Sequence, residues 1–569
     1  MRLDLDRTFP LRWVPKDLDW DDWSKLEPLF DELEKKSPTK DLKAWLQDWS
    51  ELESAFAEES NRRYVAMTCD TESQEKEKKY LHLETVITPL AKPRLQNLKK
   101  LYLEHPKRKR LPKDRYSVLD RFIQNEFDLY REENIPLDAK DTELRQQYQK
   151  IAGAMTVTFD GKEQTLQQMG RYLEETNRPR REEAWKLIAE RRLKDREPLE
   201  ALYDEMVKLR TTIARNAGFK DYRDYSFRAK GRFDYTPKHC FDFHRANEKA
   251  VVPALRKRHA RRKKLLGVDV LRPWDLAVDP EGRPPLRPFT TMDELIDGCR
   301  RVFKKVHPDF EKMFVAIRDR KYLDLDSRKG KAPGGYQTVF DVERMPFIFS
   351  NSAGLHRDVE TLLHEGGHSF HSLQCRHLEP LFNRGYPTEF AEVASMGMEL
   401  LGQPYLEEFY SKADADRARA HHLEDLLNTY PWVATIDAFQ HWTYTHPDHT
   451  RDERRAAWVD LRRRLGGAED WSGLEDAQAW SWHRQLHIYT VPFYYIEYGI
   501  AQTGALQVWK NAKKDRKSAI AAYRHAEALG WTQPLPKLFA AAKLKFDFSE
   551  KTIGPLIKLA LADLEKLDA

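Results

Sequence analysis

Apolar residues recur every three to four positions through most of this chain, the spacing that gives an α-helix one buried stripe. Long registers of this kind run from Asp41 to Glu59, Glu75 to Tyr102, Arg181 to Ala214, Pro237 to Leu266, Ala415 to Asn428, Asp452 to Leu465 and Pro536 to Leu567. Pro89 and Pro93 are expected to kink or split the second of these, because proline has no amide hydrogen and its ring crowds the preceding turn. Strand signals are few: Met155 to Phe159 ahead of Asp160 and Gly161, and Pro346 to Asn351. The pattern predicts a mainly α protein with a small β component and no internal repeat. A soft lobe boundary is expected near Glu197, where a charge-rich helical region passes into Leu199 to Phe219 and the aromatic stretch Tyr222 to Tyr235, giving segments 1–197 and 198–569.

Two further helices are read from the middle of the chain. Val359, Leu362, Leu363, Phe370 and Leu373 share a stripe, so Arg357 to about Leu373 reads as one amphipathic helix. Gly366 and Gly367 interrupt it, each at a cost of about 1 kcal/mol relative to alanine, which suits a backbone that something approaches closely, a peptide or a crossing helix. After a turn at Gly385-Tyr386-Pro387, Glu389 to Leu401 reads as a second helix ended by Gly402 and Pro404.

Composition narrows the class. With 40% hydrophobic and 33% charged residues, 569 positions suffice for a sizeable core in two or more lobes. No apolar run approaches the roughly 20 residues that span a bilayer, so no membrane role is expected. The 97 basic and 92 acidic residues nearly cancel, which gives no support to a nucleic-acid role. The strongest basic cluster, Arg256 to Lys264, is flanked by Val251, Val252, Leu255 and Leu265 in helical spacing and reads as a solvated helix face. Cys69, Cys240, Cys299 and Cys375 are too scattered for a disulfide framework or a cysteine-type zinc site. The opening residues, Met1 to Arg7, lack the apolar core of a secretory signal. Together these features lead us to expect a cytoplasmic protein.

Candidate chemistry sits on the first of the two central helices. His364-Glu365-Gly366-Gly367-His368 places two imidazoles four residues apart, on one helix face, where both reach a single zinc ion. Glu365 follows the first ligand and sits where a carboxylate can take a proton from an attacking water. A catalytic zinc has three protein ligands, and Glu392, 24 residues past His368 on the second helix, is the expected third. Ser395 and Glu399 follow on its face, able to hydrogen-bond the outer histidine nitrogens or simply to meet solvent. His371 lies on the stripe of His364 and His368, but three ligands from one helix would span about 10 Å, so only a supporting role is expected.

These residues resemble a known family. Leu363 to His371, followed by Ala391-Glu392-Val393-Ala394-Ser395, is similar to the oligoendopeptidase F and thimet oligopeptidase family of zinc metallopeptidases, on the oligoendopeptidase F side. The likeness extends to Gly334-Gly335-Tyr336, Pro346 to Asn351, His487, and Pro492 to Gly499. It implies two helical lobes around a deep substrate channel, with a small β-sheet next to the active-site helix and one zinc ion per chain. The implied activity is cleavage of internal bonds in short unstructured peptides. Family position makes His487 and Tyr498 the expected oxyanion donors, each such donor being worth about 2.7–4 kcal/mol. Pro492 suits a first helical turn, so Tyr495 and Tyr498 are expected on one face, with core packing the alternative and Tyr494 interchangeable with Tyr495. Gly335 and Tyr336 are expected in a loop over the cleft. The strand from Pro346 would hold substrate by main-chain pairing beside Phe347 and Phe349, unless these simply bury a sheet face. A zinc carboxypeptidase or dipeptidyl carboxypeptidase is the nearest alternative, a non-catalytic peptide-binding protein the remoter one. Short peptides are the expected partners, and the chain leaves monomer and small homo-oligomer open.

Overall fold

A computed structural model describes residues 4–328, 330–332 and 334–568. The protein is mainly α, and among the described residues its β structure is one two-stranded and one three-stranded sheet. The chain forms two compact units. The first draws on Met1–Asp128, Leu286–Ala418 and Gly504–Phe546, the second on Leu129–Pro285, Arg419–Thr503 and Asp547–Ala569. Glu197, the expected lobe boundary, lies within the second unit at the start of helix Arg196–Asn216.

Several long registers are divided where local chemistry demands it. Glu75 to Tyr102 forms helices Gln74–His82 and Thr88–Glu104, joined by a π-helical segment, Leu83–Ile87. Pro89 follows directly, so the widened turn accommodates a residue with no amide to donate. The same device recurs at Asn247–Val251, ahead of Pro253 in helix Val252–Leu265. Arg181 to Ala214 breaks at Asp195 into Arg178–Lys194 and Arg196–Asn216. The expected single helix from Pro536 to Leu567 is corrected to Leu535–Ala541 and Glu550–Leu567, since Lys543 adopts φ +59° and cannot continue a right-handed helix.

In the first unit, the helix His356–Cys375 is central. Asp358 starts it by accepting the amides of Ala353 and Leu355 at 2.7 and 2.8 Å, a carboxylate at the positive end of the helix dipole. Its apolar side meets the helices Met292–Val306 and Pro308–Asp319, where the rings of Phe303, Phe310, Phe314 and Phe370 interlock at centroid distances of 4.8–5.0 Å. Each aromatic pair adds about 0.5–1.5 kcal/mol beyond its buried area. Helix Thr388–Gly402 crosses it antiparallel, since Leu363 lies by Gly402, His364 by Glu399, Gly367 by Ala394 and His371 by Phe390.

Both glycines of the motif are contact points between elements. A β-carbon on Gly366 would lie 2.6 Å from the Phe303 ring, and one on Gly367 2.6 Å from the Ser395 α-carbon. Crossing helices, the second of the two expectations above, are what approach that backbone.

The three-stranded sheet orders as Leu323–Asp326, Met345–Ser352, Tyr336–Phe340. Met345–Ser352 pairs in parallel with the first (Leu323 opposite Ile348) and antiparallel with the last (Tyr336 opposite Phe349). It is therefore the central strand, which corrects the expectation that Pro346 to Asn351 offers an edge to substrate. Phe347 and Phe349 are buried with Val65 and Phe340, and Phe349 stacks on Tyr336 at 4.8 Å. They form the core of the sheet.

In the second unit, the basic run on helix Val252–Leu265 is paired rather than simply solvated. Lys257 pairs with Glu565, Arg258 with Glu424 and Asp568, Arg261 with Asp568, and Arg262 with Glu424.

Candidate active site

The two antiparallel helices bring His364, His368 and Glu392 together. His364 Nε2 is 3.3 Å and His368 Nε2 3.6 Å from Glu392 Oε2, and the three donor atoms lie within 4.8 Å of one another. Ligands held at zinc bond lengths around a tetrahedral ion stand about 3.4 Å apart, so this donor set fits one. The imidazole rings are nearly perpendicular, at 82°.

Neighbouring groups fix the donors. Glu399 Oε1 is 2.6 Å from His364 Nδ1, which directs Nε2 toward the cluster. Ser395 takes a different partner from the one expected, since its hydroxyl donates to Glu392 Oε2 at 2.9 Å rather than to a histidine. His371 makes no hydrogen bond to a ligand. It is fully buried, stacks on Tyr386 at 3.7 Å, and burial holds its pKa well below the ordinary value. The supporting role expected for His371 is corrected to packing, because its ring faces Tyr386 and Phe390.

Two carboxylates, Glu392 and Glu399, shape the protonation of the cluster. Desolvation opposes charging His364, yet hydrogen bonds to Glu392 and Glu399 hold its pKa well above the ordinary range. Burial lowers His368 to about 4, with the Glu392 carboxylate opposing. Burial also resists ionisation of Glu392, but the His364 hydrogen bond and the charge of His368 bring it to about 2. Glu365 is pushed up to about 7 by burial, with His364 opposing and Glu392 and Glu399 reinforcing. A carboxylate poised near neutrality suits a general base, and a cation between the histidines would draw it lower.

Gly335 and Tyr336 belong to the same unit. Gly335 precedes the outer strand Tyr336–Phe340, and a β-carbon there would lie 3.6 Å from Thr361, one turn before His364 on the motif helix. Tyr336 is a strand residue rather than a loop residue, and its hydroxyl is 2.6 Å from Thr68 Oγ1. Further along that strand, the Val339 carbonyl accepts the Asn61 side-chain amide at 2.9 Å.

His487, Tyr494, Tyr495 and Tyr498 form a ring cluster of their own in the second unit. His487 lies 4.7 Å from Tyr495, 5.9 Å from Tyr494 and 6.2 Å from Tyr498. Burial lowers His487 and raises Tyr495. The helix begins at Ile496, which corrects the expectation that Pro492 opens it. Phe493 is the reason, a buried residue at φ +62° whose amide donates to Gln440 Oε1 at 3.1 Å. Tyr495 therefore precedes the helix and Tyr498 lies in its first turn.

Sequence reasoning missed the groups that hold the two helices from behind. Tyr523 donates to the Ala394 carbonyl, and Gln374 to the buried Glu527. Only the small residue at Gly397, where a β-carbon would meet the Tyr523 ring at 3.2 Å, leaves a trace of this packing in the sequence.

Such a donor set on crossed helices could hold a metal ion, with the spacing of the HExxH pattern. The family model described as peptidase family M3 matches residues 171–553, and the chain belongs to that family. It is 27% identical to PZ peptidase A, solved with an inhibitor, over 98% of this chain and 99% of that one, with a TM-score of 0.88. Oligopeptidase PepF of Bacillus subtilis (strain 168) is 24% identical over 278 residues, 48% of this chain and 40% of the relative. The chromosomal oligoendopeptidase F of Lactococcus lactis subsp. cremoris is 24% identical over 248 residues, 40% of this chain and 39% of the relative. The matched region thus spans under half the length of these two curated relatives. Among the described residues no helix is long and apolar enough to cross a membrane.

Proposed function

We propose that this protein is a zinc-dependent oligopeptidase that hydrolyses internal bonds of short, unstructured peptides. The observation that carries the reading is the convergence of His364, His368 and Glu392 with Glu365 beside them. These three residues would hold the ion. When bound, zinc supplies Lewis acidity, lowering the pKa of water at its open position to about 7 and polarising a carbonyl.

The remaining roles belong to the chain. Glu365 takes a proton from the attacking water on its carboxylate and delivers it to the departing amine nitrogen. Glu399 holds His364 through Nδ1, and Ser395 steadies the Glu392 carboxylate. For His487 and Tyr498 the proposed role, hydrogen-bond donation to the oxyanion, rests on the family pattern, as does substrate contact by Tyr495. Gly335 and Tyr336 are proposed to meet the peptide, because they lead into the outer strand beside the motif helix.

The test compares wild type with Glu365→Gln on an internally quenched peptide capped at both ends, with metal measured in the same samples. We expect internal cleavage by wild type, and in the variant about one catalytic zinc retained with a rate at least about a hundredfold lower. Metal-loaded wild type that spares the capped peptide but trims free ends would make this an exopeptidase. A wild type inert on both peptides, with zinc supplied, would end the enzyme reading.

A further inference from the structure

Within the second unit, helix Pro237–Ala246 and the part of helix Lys412–Thr445 from Arg419 onward each turn an i, i+4 pair of metal-ligating side chains toward the other: Cys240 with His244, and Asp437 with His441. This cluster shares no residue with the motif site and no part of the proposed reaction uses it. The donor atoms of Cys240, Asp437 and His441 lie within 4.8 Å of one another, and all three residues are buried.

The contacts within this cluster leave buried polar atoms without partners. His244 Nε2 engages Asp437 Oδ2 at 2.7 Å, which leaves Asp437 Oδ1 with no hydrogen-bond partner. His441 Nε2 pairs with Oδ2 at 3.3 Å, and its Nδ1 has no hydrogen-bond partner. The rings of Phe241, Phe493 and Phe227 lie 4.9–5.9 Å from the His441 ring, alongside that of His244 at 5.9 Å, with the charge of Arg223 within reach. Buried polar atoms in apolar surroundings cost free energy unless something satisfies them. An anionic oxygen, a neutral imidazole and a thiol converging there would all be satisfied by a cation that takes N, O and S ligands.

We infer that Cys240, Asp437 and His441 form a second, structural metal site for a zinc-like divalent ion, with His244 orienting the aspartate from behind. A mixed sulfur, nitrogen and oxygen donor set suits zinc, and excludes magnesium or calcium, which take oxygen ligands. Binding displaces the Cys240 proton to solvent, and the resulting thiolate offsets part of the ion's charge. The carboxylate–histidine contact is the usual outer partner of a metal ligand. Asp437 and His441 are 197 and 201 residues beyond Cys240, so the ion would cross-link distant parts of one unit.

The test is to produce the whole protein with cobalt as the supplied divalent metal and record its metal content and absorption spectrum. We expect about two equivalents per chain and a thiolate-to-cobalt charge-transfer band in the near ultraviolet. Cys240→Ala should lose that band and about one equivalent, and Asp437→Asn should weaken both. Because the motif site contains no thiolate, the band reports on this cluster whether or not the peptidase reading holds. Wild type without the band, or a band that survives Cys240→Ala, overturns the inference; the wild-type spectrum decides even if a variant misfolds.

Discussion

The shared face of His364 and His368 was legible because a helix fixes its own geometry: residues four apart must share a face, so these two needed no tertiary knowledge, whereas Glu392 needed the second helix to cross the first. Glu399 was legible for the same reason, seven residues past Glu392 on one stripe. Its 2.6 Å contact with His364 Nδ1 leads to a prediction. Glu399→Ala should weaken zinc binding by about 10–100-fold, measured by chelator competition, while the protein stays folded. Glu527 was not legible, because nothing local marks an acid destined for full burial against the motif helix. Burial pushes its carboxyl well above the ordinary value, with Tyr523, Arg524 and Gln374 opposing. The folded state therefore keeps a proton that the unfolded chain releases above about pH 4.3, so this residue makes stability fall as pH rises. Glu527→Gln should flatten the decline in melting temperature between about pH 5 and 8, and an unchanged slope would remove Glu527 as its cause.

At the scale of elements, helices were read well and the strand less so. Met345 to Ser350 is an unbroken run of buried residues, and that absence of alternation is itself the mark of a strand covered on both faces. Strand order was hidden because the partners, Leu323–Asp326 and Tyr336–Phe340, are only four and five residues long. Phe349→Ala separates the two roles this strand was given. A core residue should cost about 3–5 kcal/mol in stability and leave KM for a model peptide unchanged in the folded fraction; a substrate contact would raise KM with little thermal effect. Gly367 offers a second test, since its missing β-carbon sets how closely the motif and glutamate helices cross. Gly367→Ala should destabilise by about 1–3 kcal/mol or more and loosen metal binding with it, because the obstacle is the Ser395 backbone rather than a movable side chain.

Over the whole molecule, the division into units was beyond sequence reading, since each is assembled from three separated stretches of chain. No composition shift announces such interleaving. Its energetic content is testable by truncation after Thr503, which removes the third stretch of both units, including the helix Arg516–Glu527 behind the motif helix. We expect the shortened chain to be rapidly digested in limited proteolysis and to hold no zinc at the motif. Interleaving also sets a timetable during synthesis. The first unit's earlier stretches, up to Ala418, are made before Gly504–Phe546, which closes it. A nascent chain therefore carries His364 and Glu392 for more than a hundred residues of elongation before their supporting helix exists. A hydrolase built this way should be inert on the ribosome until Gly504–Phe546 has emerged, which activity assays on stalled nascent chains would check.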